Sequence, residues 1–467
     1  MIKRMIKRRG QSHAGRAARS AKVGPAGTSV ATAAPQTGGT RKGRNGLGPD
    51  FARLWSAQAV SSVGDGVYAT ALPLLAATLT RRPLPISAVV FAEWLPWLLF
   101  GLLAGALVDR WDRRRVLWVV DTARLAAVGT FAAAVLLGLV SIPLLMLTGF
   151  VLGTGQTLVD TAAQALIPTL VSRDRQRLER ANGRLQGTHV LCDHLAGPPA
   201  GGLLFSAAAW LPFGVDALSF AASSALVASI PARRAAPAGS EGEAPTSVDQ
   251  RASLRAEVAE GLRWLAGHRV LRAMAVLTAG VNLLSVAHGA VLVLFAQQRL
   301  GLGSVGFGLL LTAAAVGGLA GSVLAPWLSS RAGPARVMVA GFVVGGLARV
   351  GIGLTRSPLV AGGLLAATGA FPTIYNVVFG SLRQRLIPDR LLGRVNSAYS
   401  LCTYGAVPLG ALLGGALASR FGLPAPFLVA GALIPAMGLL ALRSMNRRTI
   451  EQALAEAEQA TGSPAGG

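Results

Sequence analysis

Along the chain, apolar runs of about 20 residues alternate with short breaks marked by charge, Gly or Pro, which is the pattern of helices long enough to cross a bilayer. Twelve such runs occur, over residues 51–79, 86–108, 116–138, 143–165, 184–207, 209–230, 271–297, 305–328, 335–354, 358–381, 395–418 and 424–443. Most are dense in Gly and Ala, as in GGLAGSVLA at 317–325, and small residues let membrane helices approach closely. The expectation is an all-α integral membrane protein of 12 transmembrane helices. Residues 1–48 form a basic tail without an aromatic residue, a composition that cannot build a core and predicts disorder. No continuous apolar segment in this tail reads as a secretory signal. Polar residues 231–269 divide the runs six and six, giving bundles at 49–230 and 270–443, with a C-terminal tail at 444–467. Within the linker, LRAEVAEGLRWLAGH at 254–268 is amphipathic and suits a membrane surface.

Composition agrees with this pattern and then complicates it. The 467 residues are 52% hydrophobic and only 14% charged, against roughly 25% charged in soluble domains, so an ordinary soluble enzyme is excluded. Yet 44 Lys and Arg against 20 Asp and Glu leave a formal charge of +24, an excess often associated with nucleic acid. Position resolves the conflict. With the N-terminus placed in the cytoplasm and sides alternating, 37 basic residues fall on that side and 5 on the other, while Arg124 and Arg349 lie within runs. This asymmetry predicts both termini in the cytoplasm and a multi-pass plasma-membrane protein. A basic tail without interleaved aromatics offers no stacking platform for bases, so no nucleic-acid partner is expected; lipid is the expected surroundings. Two cysteines, Cys192 and Cys402, build no disulfide framework.

The two halves echo each other. ALIPTLV at 165–171 and ERAN at 179–182 are answered by RLIPDRLLGRVN at 385–396, and GALVDRWDRRRV at 105–116 by GSVLAPWLSSRAGPARV at 321–337. Offsets of 214 to 220 residues suit a duplicated six-helix unit. The loop GALVDRWDRRRVL resembles the signature between helices two and three of the major facilitator superfamily, with Gly105, Leu107, Asp109, Arg110, Arg113 and Arg114 matching and Asp112 standing where Gly is usual. GPPAGG at 197–202 resembles the helix-five antiporter motif, with Asp193 where an opening Gly is typical. LWSAQAVSSVGDGVYATALPLL at 54–75 and LIPDRLLGRVN at 386–396 are similar to the enterobactin-exporter-like and macrolide-efflux-like branch. The resemblance covers residues 49–443 and implies two six-helix pseudo-repeats. It also implies that Asp109 of the loop closes the cytoplasmic side against helix eleven.

Ionisable groups inside membrane helices are costly, which makes them functional candidates. Six acids lie within the runs, all in the first half: Asp65, Glu93, Asp121, Asp160, Asp193 and Asp216. Asp65 sits at the middle of its run between Gly64 and Gly66, and Glu93 beside Trp94 and Trp97. These two, with Asp193, His194 and Asp216, are candidates for proton coupling or cargo binding; each also suits plain helix-to-helix hydrogen bonding. On an α-helix, positions 189 and 194 are about 500° apart at 3.6 residues per turn. His189 and His194 are therefore expected to face apart, and no metal site is predicted. Asp121 and Arg124 at i,i+3, with Asp160 at similar depth, are grouped with Gly105, Asp109, Arg110, Arg113 and Arg114 as a conformational latch. In the second half, Gln297, Tyr375, Asn376 and Tyr404 are candidate cavity contacts. Gly197, Pro198, Gly201 and Gly202 in the fifth run and Pro408 in the eleventh mark helices expected to bend.

No phosphate-cradling Gly-x4-Gly-Lys motif, no His-Glu-x-x-His and no Gly-x-Ser-x-Gly is present, so neither an ATP-driven pump nor a membrane enzyme is expected. The expectation is a secondary active transporter, acting as a monomer without a cofactor, with a proton gradient as energy source and an amphiphilic small molecule as cargo. The resemblance favours export; an uptake symporter of the same fold fits the same residues.

Overall fold

A computed structural model describes residues 47–171, 174–231, 259–387 and 391–444. Of the predicted tail, residues 1–46, of the linker residues 232–258, and of the C-terminal tail residues 445–467 fall outside them. The described chain is helical throughout: α1 (Pro49–Leu79), α2 (Pro83–Arg110), α3 (Arg113–Leu136), α4 (Ile142–Val171), α5 (Arg175–His189), a π-turn at Val190–Ala196, α6 (Gly197–Ala207) and α7 (Leu211–Ala228). After the linker come α8 (259–267), α9 (Arg269–Gly289), α10 (Leu292–Gln298), α11 (Ser304–Ala332), α12 (Pro334–Leu354), α13 (Pro358–Leu386), α14 (Leu392–Phe421) and α15 (Ala425–Ser444). Among the described residues, nine helices are long and apolar enough to cross a membrane, and shorter apolar helices span Pro358–Pro372 and Ala425–Ala441.

Helix ends follow local chemistry. Asp112, the residue that departs from the signature loop, caps α3 by accepting a hydrogen bond from the Arg115 amide at 2.9 Å. Asp174 caps α5 in the same way through the Arg177 amide at 3.2 Å. The fifth apolar run is not one continuous helix. Pro198 and Pro199 have no amide hydrogen and their rings crowd the carbonyls four residues back. The backbone widens ahead of them, with the Gly197 amide bonded to the Cys192 carbonyl five residues earlier.

Core packing distinguishes the two ends of the bundle. At one end, a single buried cluster joins the second half of α1 (Leu72, Leu75), the start of α2 (Ile86, Val89), Phe213 of α7, all of Leu292–Phe295, Phe307 of α11 and Phe427 of α15. Helices from both sides of the linker contribute to it. At the other end the core is split: Leu54, Val116, Ile167 and Val227 belong to one cluster, and Leu271, Phe342, Tyr375 and Val395 to another. The helix sets are thus locked together at the end carrying residues 80–82 and 299–303, and packed separately at the basic end carrying residues 110–112 and 386–387.

The amphipathic segment behaves differently from its predicted place on a membrane surface. Leu265 is buried in the second set's core, and Glu260 pairs with Arg394 at the start of α14 at 2.6 Å. The apolar face of α8 is therefore satisfied by protein.

A close crossing that bears on the site involves α1. Gly64 abuts Asp216 and Ser219 of α7, and Gly66 abuts the backbone of Asp193 in the π-turn. A Cβ at Gly197 would sit 2.6 Å from the Gly66 Cα. Gly66→Ala is expected to destabilise the purified protein by about 1–3 kcal/mol, the cost of overpacking a filled interface. Gly129→Ala, where a Cβ meets nothing within 4 Å, should be neutral. Thermal unfolding in detergent checks the contrast; equal melting temperatures would contradict the packing.

Candidate functional site

Three polar stripes at helical spacing meet inside the first helix set. On α1 the stripe is Ser61, Asp65 and Tyr68; on α3 it is Asp121 and Arg124; on α7 it is Asp216, Ser219 and Ser223. Each keeps its polar groups on one face of an otherwise apolar helix, and the three faces turn toward one another. Arg124 Nη2 donates to Asp65 Oδ1 at 2.6 Å, and its Nη1 lies 3.9 Å from Asp121 Oδ1. Ser61 donates to Asp65 at 3.3 Å and Ser223 to Asp121 at 2.6 Å. The Arg124 guanidinium lies 3.9 Å from the centroid of the Phe220 ring, a cation–π contact that stabilises the charge from the apolar side. Asp216 is wholly buried on α7 beside Ser219, within electrostatic reach of Asp65 and Arg124.

Exposure is graded across this cluster. The side chains of Arg124 and Asp121 are 4% and 3% accessible, whereas that of Asp65 is 25% accessible. Asp65 is therefore the member that connects the sealed network to open space. Arg124 Nε and Nη1, Asp121 Oδ1 and Asp216 Oδ2 are buried without a hydrogen-bond partner among the described residues. Such groups carry a desolvation cost, and their free capacity allows the guanidinium to exchange carboxylate partners.

The expected latch is divided by this arrangement. Arg124 and Asp121 belong with Asp65 rather than with the signature loop, because α3 runs from that loop deep into the bundle. Arg113 donates to the Ala165 carbonyl on α4 at 3.1 Å. Arg114 donates to the carbonyls of Val227, at 3.2 Å, and Ala228, at the C-terminus of α7, where a cation offsets the helix dipole. Asp160 accepts from Gln156 at 2.9 Å and is exposed, yet it lies within electrostatic reach of Arg124, Asp65 and His189, so it faces the same interior space. Gly105 lies near the C-terminal end of α2, and the side chains of Asp109 and Arg110 fall outside the described residues.

Glu93 projects from α2, which packs closely on α4 at Gly149 and Gly153, and is within electrostatic reach of Asp65 and Asp193. One turn further, the Trp97 ring packs at a tilt against Tyr404 of α14 at 4.8 Å between centroids, so these aromatics bridge the two helix sets. Tyr404 is 45% exposed and Asn376 is also exposed, while Gln297 is partly buried. Tyr375 is not an open cavity contact: it is buried among Phe342, Phe371 and Phe379, and its hydroxyl meets those of Thr278 and Tyr399 through Thr278.

The expectation that His189 and His194 face apart is incorrect. The wider π-turn brings residue i+5 closer to the face of residue i than α geometry does. The two rings lie 5.2 Å apart, with the Asp193 carboxylate between them. Among the helix-bending residues, Gly197 and Pro198 are buried at the junction of π-turn and α6; Gly201 faces Val67 of α1 and Gly202 faces Ser304 of α11. Pro408 is buried within α14.

Sequence reasoning passed over Tyr68, Ser219, Ser223 and Phe220. The i, i+3, i+7 spacing of Asp216, Ser219 and Ser223 was the available signal for two of them. In the second helix set, Arg349 of α12 is 2% exposed and donates to the Gly345 carbonyl at 3.0 Å and to Ser285 at 3.4 Å; no described carboxylate pairs with it.

Comparison with known proteins places this geometry in context. A family model described as a transmembrane secretion effector matches residues 48–464. "Multidrug efflux pump Tap" of Mycobacterium tuberculosis (strain ATCC 25618 / H37Rv) is 30% identical over 420 residues, covering 87% of this chain and 96% of that protein. "Macrolide efflux protein A" of Streptococcus pyogenes is 24% identical over 399 residues, covering 82% and 93%. Among solved structures, a bacterial homologue of the iron transporter ferroportin superposes in its inward-facing state with a TM-score of 0.66, at 19% identity over 85% of this chain and 99% of that one. Its outward-facing state gives 0.56, at 20% identity over 87% and 99%.

Removing one member of a buried ion pair leaves the other uncompensated, at a cost of about 3–5 kcal/mol. Arg124→Gln is therefore expected to lower thermal stability strongly, and Asp65→Asn in the same chain to recover part of the loss. A double-mutant cycle on unfolding in detergent checks this; additive effects would show that the pair is not coupled.

Proposed function

The chain belongs to the transmembrane secretion effector family of the major facilitator superfamily, and from that membership we propose that it is a proton-coupled exporter of amphiphilic drugs or related secondary metabolites. It is a multi-pass cell-membrane transporter and not an enzyme. The proposal extends this to 12 spanning helices in two six-helix repeats, with α5, the π-turn and α6 forming the fifth span and α9 with α10 the seventh. Both termini are assigned to the cytoplasm on the distribution of basic residues.

Drug export is supported by the two efflux relatives and by the aromatic and acidic character of Trp94, Trp97, Tyr404, Glu93 and Asp65, which suits a cargo with an apolar body and a polar or cationic group. Alternating access is supported by the asymmetric core. Helices from the two sets share one cluster at the end assigned to the exterior and keep separate clusters at the basic end, an arrangement open toward the cytoplasm. Rocking of one set against the other would open the first end and close the second.

Proton coupling rests above all on the charge balance around Arg124. One guanidinium faces Asp65, Asp121 and Asp216 in a region shielded from water. A buried carboxylate without a compensating charge is strongly disfavoured, so the surplus negative charge is neutralised by bound protons or by a cationic cargo. Asp65, partly exposed, is the entry point. A proton arriving there weakens its bond to Arg124, which can turn toward Asp121 or Asp216, and the resulting shift of α3 and α7 against α1 couples proton uptake to the conformational change.

The decisive measurement is drug movement by the purified protein in liposomes under an imposed pH gradient. Gradient-dependent transport should vanish on adding an uncoupler, and Asp65→Asn should lose it while retaining drug affinity within about tenfold, or 1.4 kcal/mol. Transport that survives collapse of the gradient, or normal coupled transport by Asp65→Asn, would refute this mechanism. In cells, deletion should increase drug accumulation; loss of uptake of a nutrient would instead establish import.

A further inference from the structure

We propose that His189, Asp193 and His194 form a binding site for a divalent transition-metal ion, with Zn2+ the best match, where α5 runs into the π-turn of the fifth span. His189 Nε2 and His194 Nδ1 lie 3.7 and 3.4 Å from the same oxygen, Asp193 Oδ2. The three donor atoms are all within 4.8 Å of one another. Tetrahedral coordination at metal–ligand bonds of about 2.0–2.1 Å places ligand atoms about 3.3 Å apart. Two sides of the donor triangle thus already approach that spacing, and a small closure between the imidazoles completes it. Both side-chain-to-Asp193 separations are long for hydrogen bonds, so the three groups converge on a common point more than they bind one another.

Two imidazoles and one carboxylate form a borderline donor set that selects Zn2+ and its first-row neighbours over Mg2+ and Ca2+, which favour oxygen ligands. Three protein ligands leave a fourth position for water. The imidazole side chains are 47% and 55% accessible and the Asp193 carboxylate 15%, so an ion can reach the site and find one partly sheltered anchor. The backbone geometry is essential: on an uninterrupted α-helix the two histidines would point apart, and the π-turn forced by Pro198 and Pro199 brings them together.

Metal held here would tie the beginning of the π-turn to its middle. That turn packs through the Asp193 backbone against Gly66, next to Asp65. Bound metal should therefore restrain α1 against the fifth span and slow transport reversibly. The binding itself does not depend on the proposed export, so equilibrium binding and transport can fail separately.

The test uses the full chain, purified in detergent through a tag without histidine, freed of metal and titrated with Zn2+. One saturable equivalent per chain is expected. His189→Gln and His194→Gln should weaken it by on the order of 100-fold or more, since even loss of supporting groups around a metal site costs 10–100-fold; His13→Gln should not affect it. Co2+ in place of Zn2+ should give the visible absorption of a tetrahedral site. In wild-type protein, Zn2+ should protect His189 and His194 from diethyl pyrocarbonate, a readout that needs no variant. Absence of saturable binding, binding unchanged by the two glutamine variants, or unprotected histidines would overturn the proposal.

Discussion

A single buried cation organises the first half of this protein. Arg124 has left water to sit between Asp65 and Asp121, with Phe220 under its guanidinium, and in a membrane interior the nearby carboxylates offset the cost of burying its charge. That requirement draws α1, α3 and α7 to one another. Because α1 must come close enough for Asp65 to reach Arg124, the residues flanking Asp65 have no space for side chains, and Gly64 and Gly66 meet α7 and the π-turn directly. Charge and close packing are thus the same constraint seen from two sides.

The second helix set solves a different problem. Arg349 is as buried as Arg124 but, among the described residues, has only a carbonyl and a hydroxyl as hydrogen-bond partners, and the polar interior around Thr278, Tyr375 and Tyr399 is built from hydroxyls with the Arg383 guanidinium over the Tyr399 ring. A set without intramembrane acids has little capacity to exchange protons, whereas the first set has several carboxylates around one cation. On the proposed mechanism, this division places proton exchange in one half and leaves the other as a packed counterface, joined to the first through Trp97 and Tyr404 and through the shared apolar cluster.

Irregular backbone has a comparable role in the fifth span. Two consecutive prolines oblige the helix to widen, and the widened turn delivers Asp193 to Gly66 while superposing two histidines that regular geometry would separate. The motif containing these prolines therefore does more than allow bending: it sets which side chains share a space.

Much was legible in the sequence because hydropathy, chain length and charge asymmetry are properties of individual segments facing lipid or water. The all-helical membrane architecture and the resemblance carried by residues 105–114 and 197–202 follow from local chemistry. Asp65 stood out for the same reason, as a carboxylate at the centre of an apolar run. What only the tertiary structure decided is which groups meet. Arg124 is three residues from Asp121 but 59 from Asp65, and its shorter, 2.6 Å contact is with the distant one. Tyr375 turned inward because neighbouring aromatics enclose it, and Asp216 joined the cluster through a glycine on another helix. The histidine pair depended on a local departure from 3.6 residues per turn, which residue spacing read as a regular helix does not contain. Segment-level transfer energies are encoded along the chain, whereas pairing inside the membrane depends on helix rotation and close approach, which exist only once the helices have packed.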